Sequence, residues 1–185
     1  MALFIVIWSI WFISEILINR LFRSRSRDMK GADRGSLIIV WVTIVIANSV
    51  GVLFSIYNFL PISNMIFIRF AGLFLIVAGL ILRFLAIYSL GRFFTVDITI
   101  REKHLLKKDG LYSVIRHPSY SGFLLSFLGF GFSLNDWISL VVVVIPVFFA
   151  LNYRIRLEEE TLTRQFGKEY KDYKKKTYQL IPWIY

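Results

Sequence analysis

Hydrophobic positions along this chain come in long runs, without the polar interruptions of a soluble helix or the alternation of a strand. The run 2–21 carries one acid, Glu15; the run 36–60 carries no charge; the run 62–90 holds only Arg69 and Arg83, each near one end. A helix of about 20 apolar residues spans the hydrocarbon core of a bilayer, so these are three predicted spans. Two shorter runs, 123–134 and 137–153, are separated by Asn135-Asp136 and predict a tight helical hairpin. Over 154–178 the pattern changes: Leu157, Leu162, Phe166, Tyr170 and Tyr173 recur at roughly helical spacing among charges. That spacing predicts an amphipathic helix continuing the fifth span, with Gly167 breaking or bending it. The tail from Ile181 to Tyr185 is apolar and aromatic and suits a bilayer interface. The expected fold is all-α: a multi-pass membrane bundle of about five transmembrane helices, the last two a hairpin, plus a C-terminal cytoplasmic amphipathic helix. The chain divides into 1–90, with three spans, and 91–185, where the polar connector, the hairpin and the last helix lie.

Charge placement orients this arrangement. Of the 22 Lys and Arg, six fall in 20–34, six in 92–116 and eight in 154–176, whereas 57–64 and 133–136 hold none. Five crossings put the three basic clusters on one side, and basic flanks are retained in the cytoplasm, so the N-terminus is expected outside and the C-terminus inside. The host membrane is expected to be the cell membrane in a prokaryote or the endoplasmic reticulum in a eukaryote. The basic residues follow the first apolar run and no small-residue cleavage site is present, so that run reads as an uncleaved anchor.

Composition agrees with lipid as the solvent: 57% of the 185 residues are hydrophobic and 18% charged, against about a quarter charged in soluble domains. The formal net charge of +10 is accounted for by the flanks of the spans and by attraction to anionic lipid, so no nucleic-acid partner is expected. With no cysteine, disulfides and thiolate chemistry are excluded, and with only His104 and His117 no metal site is expected. Neither a Walker loop, nor a GxSxG elbow, nor a Gly-rich dinucleotide fingerprint occurs.

Candidate chemistry gathers where the hairpin meets water. "RHPSYSG" at 116–122 opens the hairpin, and Glu158-Glu159-Glu160 follows its end beside Arg154 and Arg156. The two ends of a hairpin are neighbours, so Arg, His, Tyr and Glu side chains are expected at one cytoplasmic mouth. Acids there can bind a cation or hydroxyls, and arginines a carboxylate or phosphate. The competing reading makes them solvated helix ends and snorkelling anchors. Glu15 is expected to snorkel or to pair with a base inside the bundle, and Ala71-Gly72 and Ala78-Gly79 to pack helices.

"HLLKKDGLYSVIRHPSYSG", followed by "EEETL" and "FGKEYKDYKKKTYQLIP", resembles the isoprenylcysteine carboxyl methyltransferase family, whose pattern runs H-x-L, G-x-Y, RHPxYxG, hairpin, EExxL, FG-x-EY-x-x-Y and a late I-P. The resemblance covers 90–182. It implies an integral membrane enzyme that carries a methyl group from the cofactor S-adenosylmethionine to a lipophilic acceptor, the carboxylate of a prenylated cysteine or a similar group. It further implies cofactor contacts at His104, Leu105, Leu106, Lys107, Tyr112, His117, Pro118, Ser119, Tyr120, Glu158 and Glu159, with Lys107 contributing backbone because the family has a small apolar residue there. Arg154 falls on the family's substrate-side arginine, and Arg116 is the second candidate catalytic arginine, serving either substrate or structure. The expected partners are the prenylated or small lipophilic substrate and membrane lipid, with no metal. Two other readings remain at this level: a membrane methyltransferase acting on a phospholipid amine or small thiol, and a non-enzymatic membrane bundle.

Overall fold

The computed structural model describes residues 2–23, 33, 35–57, 59–99 and 105–183. Among the described residues six α-helices form: α1 (Ala2–Leu21), α2 (Ser36–Tyr57), α3 (Phe67–Leu90), α4 (Pro118–Leu134), α5 (Trp137–Phe166) and α6 (Lys168–Lys174). Among the described residues there is no strand, only two isolated bridges. Four helices, α1, α2, α3 and α5, are long and apolar enough to cross a membrane. The chain is a multi-pass membrane protein. At 17 residues, α4 is about 25 Å long at 1.5 Å per residue.

Although shorter, α4 runs the depth of the bundle against α3, because glycines let the two backbones touch. A Cβ on Gly79 would stand 2.5 Å from the carbonyl oxygen of Gly122, and one on Gly129 2.5 Å from that of Gly72. These positions recur every seven residues on both helices, so two glycine pairs make one continuous close seam. In the core, Trp11 of α1 meets Phe127 of α4 edge-on at 5.1 Å, and Ile44, Ile76, Val143 and Leu151 are buried around them. The outer faces keep Ile39, Val45, Phe74, Ile81 and Phe149 exposed, side chains that hydrocarbon solvates and water would not.

At one end of the bundle the turn between α4 and α5 is fastened to the loop between α2 and α3. Asp136 caps α5 by accepting from the backbone of Ser139 (2.8 Å) and also accepts from the backbone of Leu60 (2.8 Å). Asn135 takes a left-handed conformation (φ 55°) and donates to the carbonyl of Ser63 (2.8 Å). This fastening ties the hairpin turn to the α2–α3 loop, and the candidate site is built at the opposite end.

At that opposite end the structure corrects the predicted last helix. α5 continues without interruption to Phe166, Gly167 turns at φ 54°, and α6 stops at Lys174 instead of running to Tyr178. Tyr178 and Gln179 pair alongside the start of the hairpin, through Arg116 N–H to Tyr178 O (2.8 Å) and His117 N–H to Gln179 O (3.2 Å). Leu180 is buried and Trp183 exposed.

Candidate active site

Pro118 starts α4 at its first turn, where a missing N–H does no harm, and fixes Ser119 and Tyr120 as the first inward-facing residues. Glu158 lies on α5 directly across from them. The Tyr120 hydroxyl donates to Glu158 Oε2 (2.9 Å) and accepts from Arg154 Nε (3.0 Å), so one phenol joins the RHPSY stretch to both charged groups of α5. His117, buried, sits between the two glutamates, with Nδ1 3.9 Å from Glu158 Oε1 and Nε2 3.4 Å from Glu159 Oε1.

These groups face a cavity enclosing about 1250 Å³ of empty space, part of it continuous with solvent. Its polar lining includes Lys107, Tyr112, Arg116, His117, Ser119, Tyr120 and Glu158; its apolar lining includes Leu106, Leu37, Val40, Trp41, Ile44, Phe123 and Leu151, together with Phe93, Phe94, Val96 and Ile98 after α3. The pair Glu15 and Arg83 also lines it. Arg83 donates to Glu15 Oε2 (2.7 Å), to Ser119 Oγ (3.0 Å) and to the Ser119 carbonyl (3.2 Å), and lies 4.8 Å from the Phe123 ring centroid. The expected base for Glu15 is thus Arg83, and the pair supports the start of α4 from inside the bundle.

Arg154 is buried and all three of its guanidinium nitrogens donate: Nη1 to Asp33 Oδ1 (2.6 Å) and Ser36 Oγ (2.7 Å), Nη2 to the Val96 carbonyl, and Nε to Tyr120. Asp33, Ser36 and Val96 were not expected as partners. Arg116 serves the tail: Nε donates to Glu159 Oε1 (2.8 Å) and Nη1 to the carbonyls of Lys174 and Thr177. Lys174 also reaches Glu159, so that carboxylate is spent on two cations. Glu159 and Pro118 are buried behind the wall rather than on it, and Leu105 is 66% exposed away from it. His104 lies outside the described residues.

Two tyrosines from α6 complete the polar end. Tyr173 donates to the carbonyl of Tyr112 (2.6 Å), and the Tyr112 hydroxyl donates to the Ala86 carbonyl (3.2 Å), so α6, the connector and α3 form one chain of hydrogen bonds. Burial pushes the Tyr173 phenol up to about 12 and raises those of Tyr112 and Tyr170, the nearby glutamates adding to the effect. All three remain neutral donors at physiological pH. Among the described residues no three His, Asp or Glu side chains converge on a metal position.

The isoprenylcysteine carboxyl methyltransferase (ICMT) family matches residues 71–164, from α3 to the end of α5. This chain belongs to that family. A probable protein-S-isoprenylcysteine O-methyltransferase of Oryza sativa subsp. indica is 34% identical over 120 residues, 64% of this chain and 63% of the relative. Protein-S-isoprenylcysteine O-methyltransferase B of Arabidopsis thaliana is 39% identical over 115 residues, 61% of this chain and 58% of the relative. The chain therefore spans less than two thirds of the length of these relatives. The solved structure of the eukaryotic intramembrane Ras methyltransferase ICMT aligns with a TM-score of 0.67 at 25% identity, covering 78% of this chain and 52% of that one. The family match takes in both RHPSY and EEETL, but α6 and the tail lie beyond it.

Proposed function

We propose that this protein transfers a methyl group from S-adenosylmethionine to the carboxylate of a lipophilic acceptor of the prenylcysteine class. One observation carries the reading: the RHPSY stretch and Glu158, joined through Tyr120, face the same cavity as an apolar wall set among membrane-spanning helices. A cofactor from water and an acceptor from lipid can meet there.

The donor set suits the cofactor. Glu158 has a side chain 32% exposed and one oxygen not taken by Tyr120, which leaves it able to accept from hydroxyl or ammonium groups. Tyr112 and Tyr120 offer aromatic surface, Leu106 an apolar one, and Lys107 a cation or its backbone. Ser119 and His117 line the cavity and Pro118 and Glu159 support it from behind, while family resemblance alone adds His104 and Leu105 to the cofactor contacts. When bound, the cofactor supplies an activated methyl group on a positively charged sulfur, a good leaving group. The protein needs no general base, because a carboxylate is already ionised at neutral pH. Its task is alignment and exclusion of water, which in well-oriented systems is worth roughly 7–11 kcal/mol.

Arg154 is the acceptor-side cation. Asp33 already demonstrates the grip, a carboxylate held at 2.6 Å, and an acceptor carboxylate reaches the guanidinium by exchange with it. Arg116 is a positioning residue that ties the tail to Glu159. The bundle is read as five crossings with the site in the cytoplasm and the Asn135-Ser63 end outside; cysteines introduced at Lys174 and Ser63 should label from opposite sides, and same-side labelling removes the fifth crossing.

The deciding experiment offers purified protein radiolabelled S-adenosylmethionine with a prenylcysteine, a phospholipid amine or a thiol. Methylation of the prenylcysteine alone is expected. Transfer only to amine or thiol would replace the acceptor, and failure to bind the cofactor would leave a non-enzymatic bundle.

A further inference from the structure

Beyond the groups already assigned, two hydroxyls line the cavity without a hydrogen-bond partner among the described residues. The Tyr170 side chain is 1% exposed and Thr99 7%, and both hydroxyl oxygens are fully buried. They arrive from separate elements, Tyr170 from α6 and Thr99 from the connector after α3. A buried hydroxyl with no partner destabilises the protein that holds it, whereas a phenylalanine or a valine of the same shape would not. Tyr170 is not placed by neglect: the turn at Gly167 folds α6 back, and the neighbouring Tyr173 spends its own hydroxyl on the Tyr112 carbonyl. Tyr170 packs its ring 5.9 Å from that of Tyr173, so its packing is secured without the oxygen.

We propose that Tyr170 donates a hydrogen bond to a polar group of the bound cofactor, and that Thr99 supplies a second such contact, the two hydroxyls being held unpaired for that purpose. The proposal rests on the reading of the cavity as an S-adenosylmethionine site. Tyr170 packs against Tyr173 and lies within electrostatic reach of Glu159 and Glu158, while the apolar lining comes from α2, α4 and α5 and also from Leu90, Phe93, Phe94, Val96 and Ile98, ahead of Thr99. The Tyr170 contact is therefore with a polar group of the cofactor and not with the lipid tail. Burial and the adjacent acids keep the phenol protonated, so it acts as a donor throughout the working range of pH.

The experiment measures two quantities on the detergent-solubilised full chain: the S-adenosylmethionine dissociation constant by calorimetry, and the unfolding midpoint without ligand. Tyr170→Phe is expected to weaken binding about tenfold, equivalent to about 1.4 kcal/mol, while its ligand-free midpoint stays equal to wild type or rises. Thr99→Val is expected to behave in the same direction. Tyr173→Phe is the contrast, since it breaks an existing hydrogen bond and should lower the midpoint. If wild type binds and Tyr170→Phe and Thr99→Val bind equally well, the proposal is overturned and the cofactor site stands. If Tyr170→Phe loses midpoint and affinity together, the hydroxyl is structural and the proposal is again overturned. If wild type itself does not bind the cofactor, both the site reading and this inference fall.

Discussion

Removing Glu15 tests how the bundle holds its functional wall. Glu15 is 1% exposed and Arg83 7%, and Arg83 divides its donors between that carboxylate and Ser119, whose carbonyl and hydroxyl it grips at 3.2 and 3.0 Å. Glu15→Gln preserves size but leaves a guanidinium uncompensated in a low-dielectric interior, and breaking a buried pair from one side costs about 3–5 kcal/mol. Against a total stability of roughly 5–15 kcal/mol that is severe. Arg83→Met should cost less, because an unpaired carboxyl can take up a proton and become neutral, whereas a guanidinium cannot lose one. The double variant should recover most of the loss, retaining a deficit of about 1–2 kcal/mol for the hydrogen bonds to Ser119. Its recovered stability should not restore cofactor affinity, since the start of α4 is no longer held. Unfolding of the four proteins in detergent, with calorimetry on those that fold, measures both effects. Additive single-variant losses in the cycle would mean that the pair is not coupled, and full cofactor affinity in the double variant would mean that Arg83 does not position the wall.

Four further outcomes follow from the geometry. Gly79→Ala puts a methyl group 2.5 Å from the Gly122 carbonyl and should destabilise by about 1–3 kcal/mol, the usual range for overpacking; an unchanged unfolding midpoint would show that α3 and α4 separate freely. Arg154→Lys keeps the charge but loses the planar fork, so kcat/KM for a carboxylate acceptor should fall by about tenfold or more with cofactor affinity near wild type, while Asp33→Asn should lower the acceptor KM by removing the competing carboxylate; equal cofactor loss in Arg154→Lys would return that residue to structure alone. Tyr173, whose phenol is raised from 10.0 to about 12, favours its neutral form when folded, so its contribution to stability is complete below pH 10 and disappears as pH climbs through about 12; a tyrosinate absorbance titration in which Tyr173→Phe removes no late-titrating group would contradict this.

Hydropathy and motif order made the membrane bundle, the hairpin and the neighbourhood of RHPSY and EEETL legible in the sequence, because each rests on local pattern or on the adjacency of two ends of one hairpin. What stayed hidden depended on which far segments arrive at the same side chain. Arg154 is the clearest case: helical spacing relates it to Glu158, but nothing in that spacing reveals Asp33, Ser36 and the Val96 carbonyl, which come from more than 50 residues away. Glu159 was equally opaque, since its neighbour Glu158 has the same chemistry, and only the fold shows one turned to the cavity and the other neutralising Arg116 and Lys174. The helix predicted to Tyr178 failed for a related reason, because side-chain periodicity cannot register a competing tertiary partner, and the backbones of Arg116 and His117 offered donors to the tail. Tyr170 left a faint trace in FGKEYKDY, where two tyrosines share a helical face. The sequence treats that pair as equivalent apolar anchors, and their difference is one of hydrogen bonding: the Tyr173 hydroxyl reaches the Tyr112 carbonyl, and the Tyr170 hydroxyl faces its surroundings unpaired. Among like residues at a site, the one whose polar atom the fold leaves unsatisfied is the better candidate for touching a ligand, because the fold gains nothing from that atom on its own.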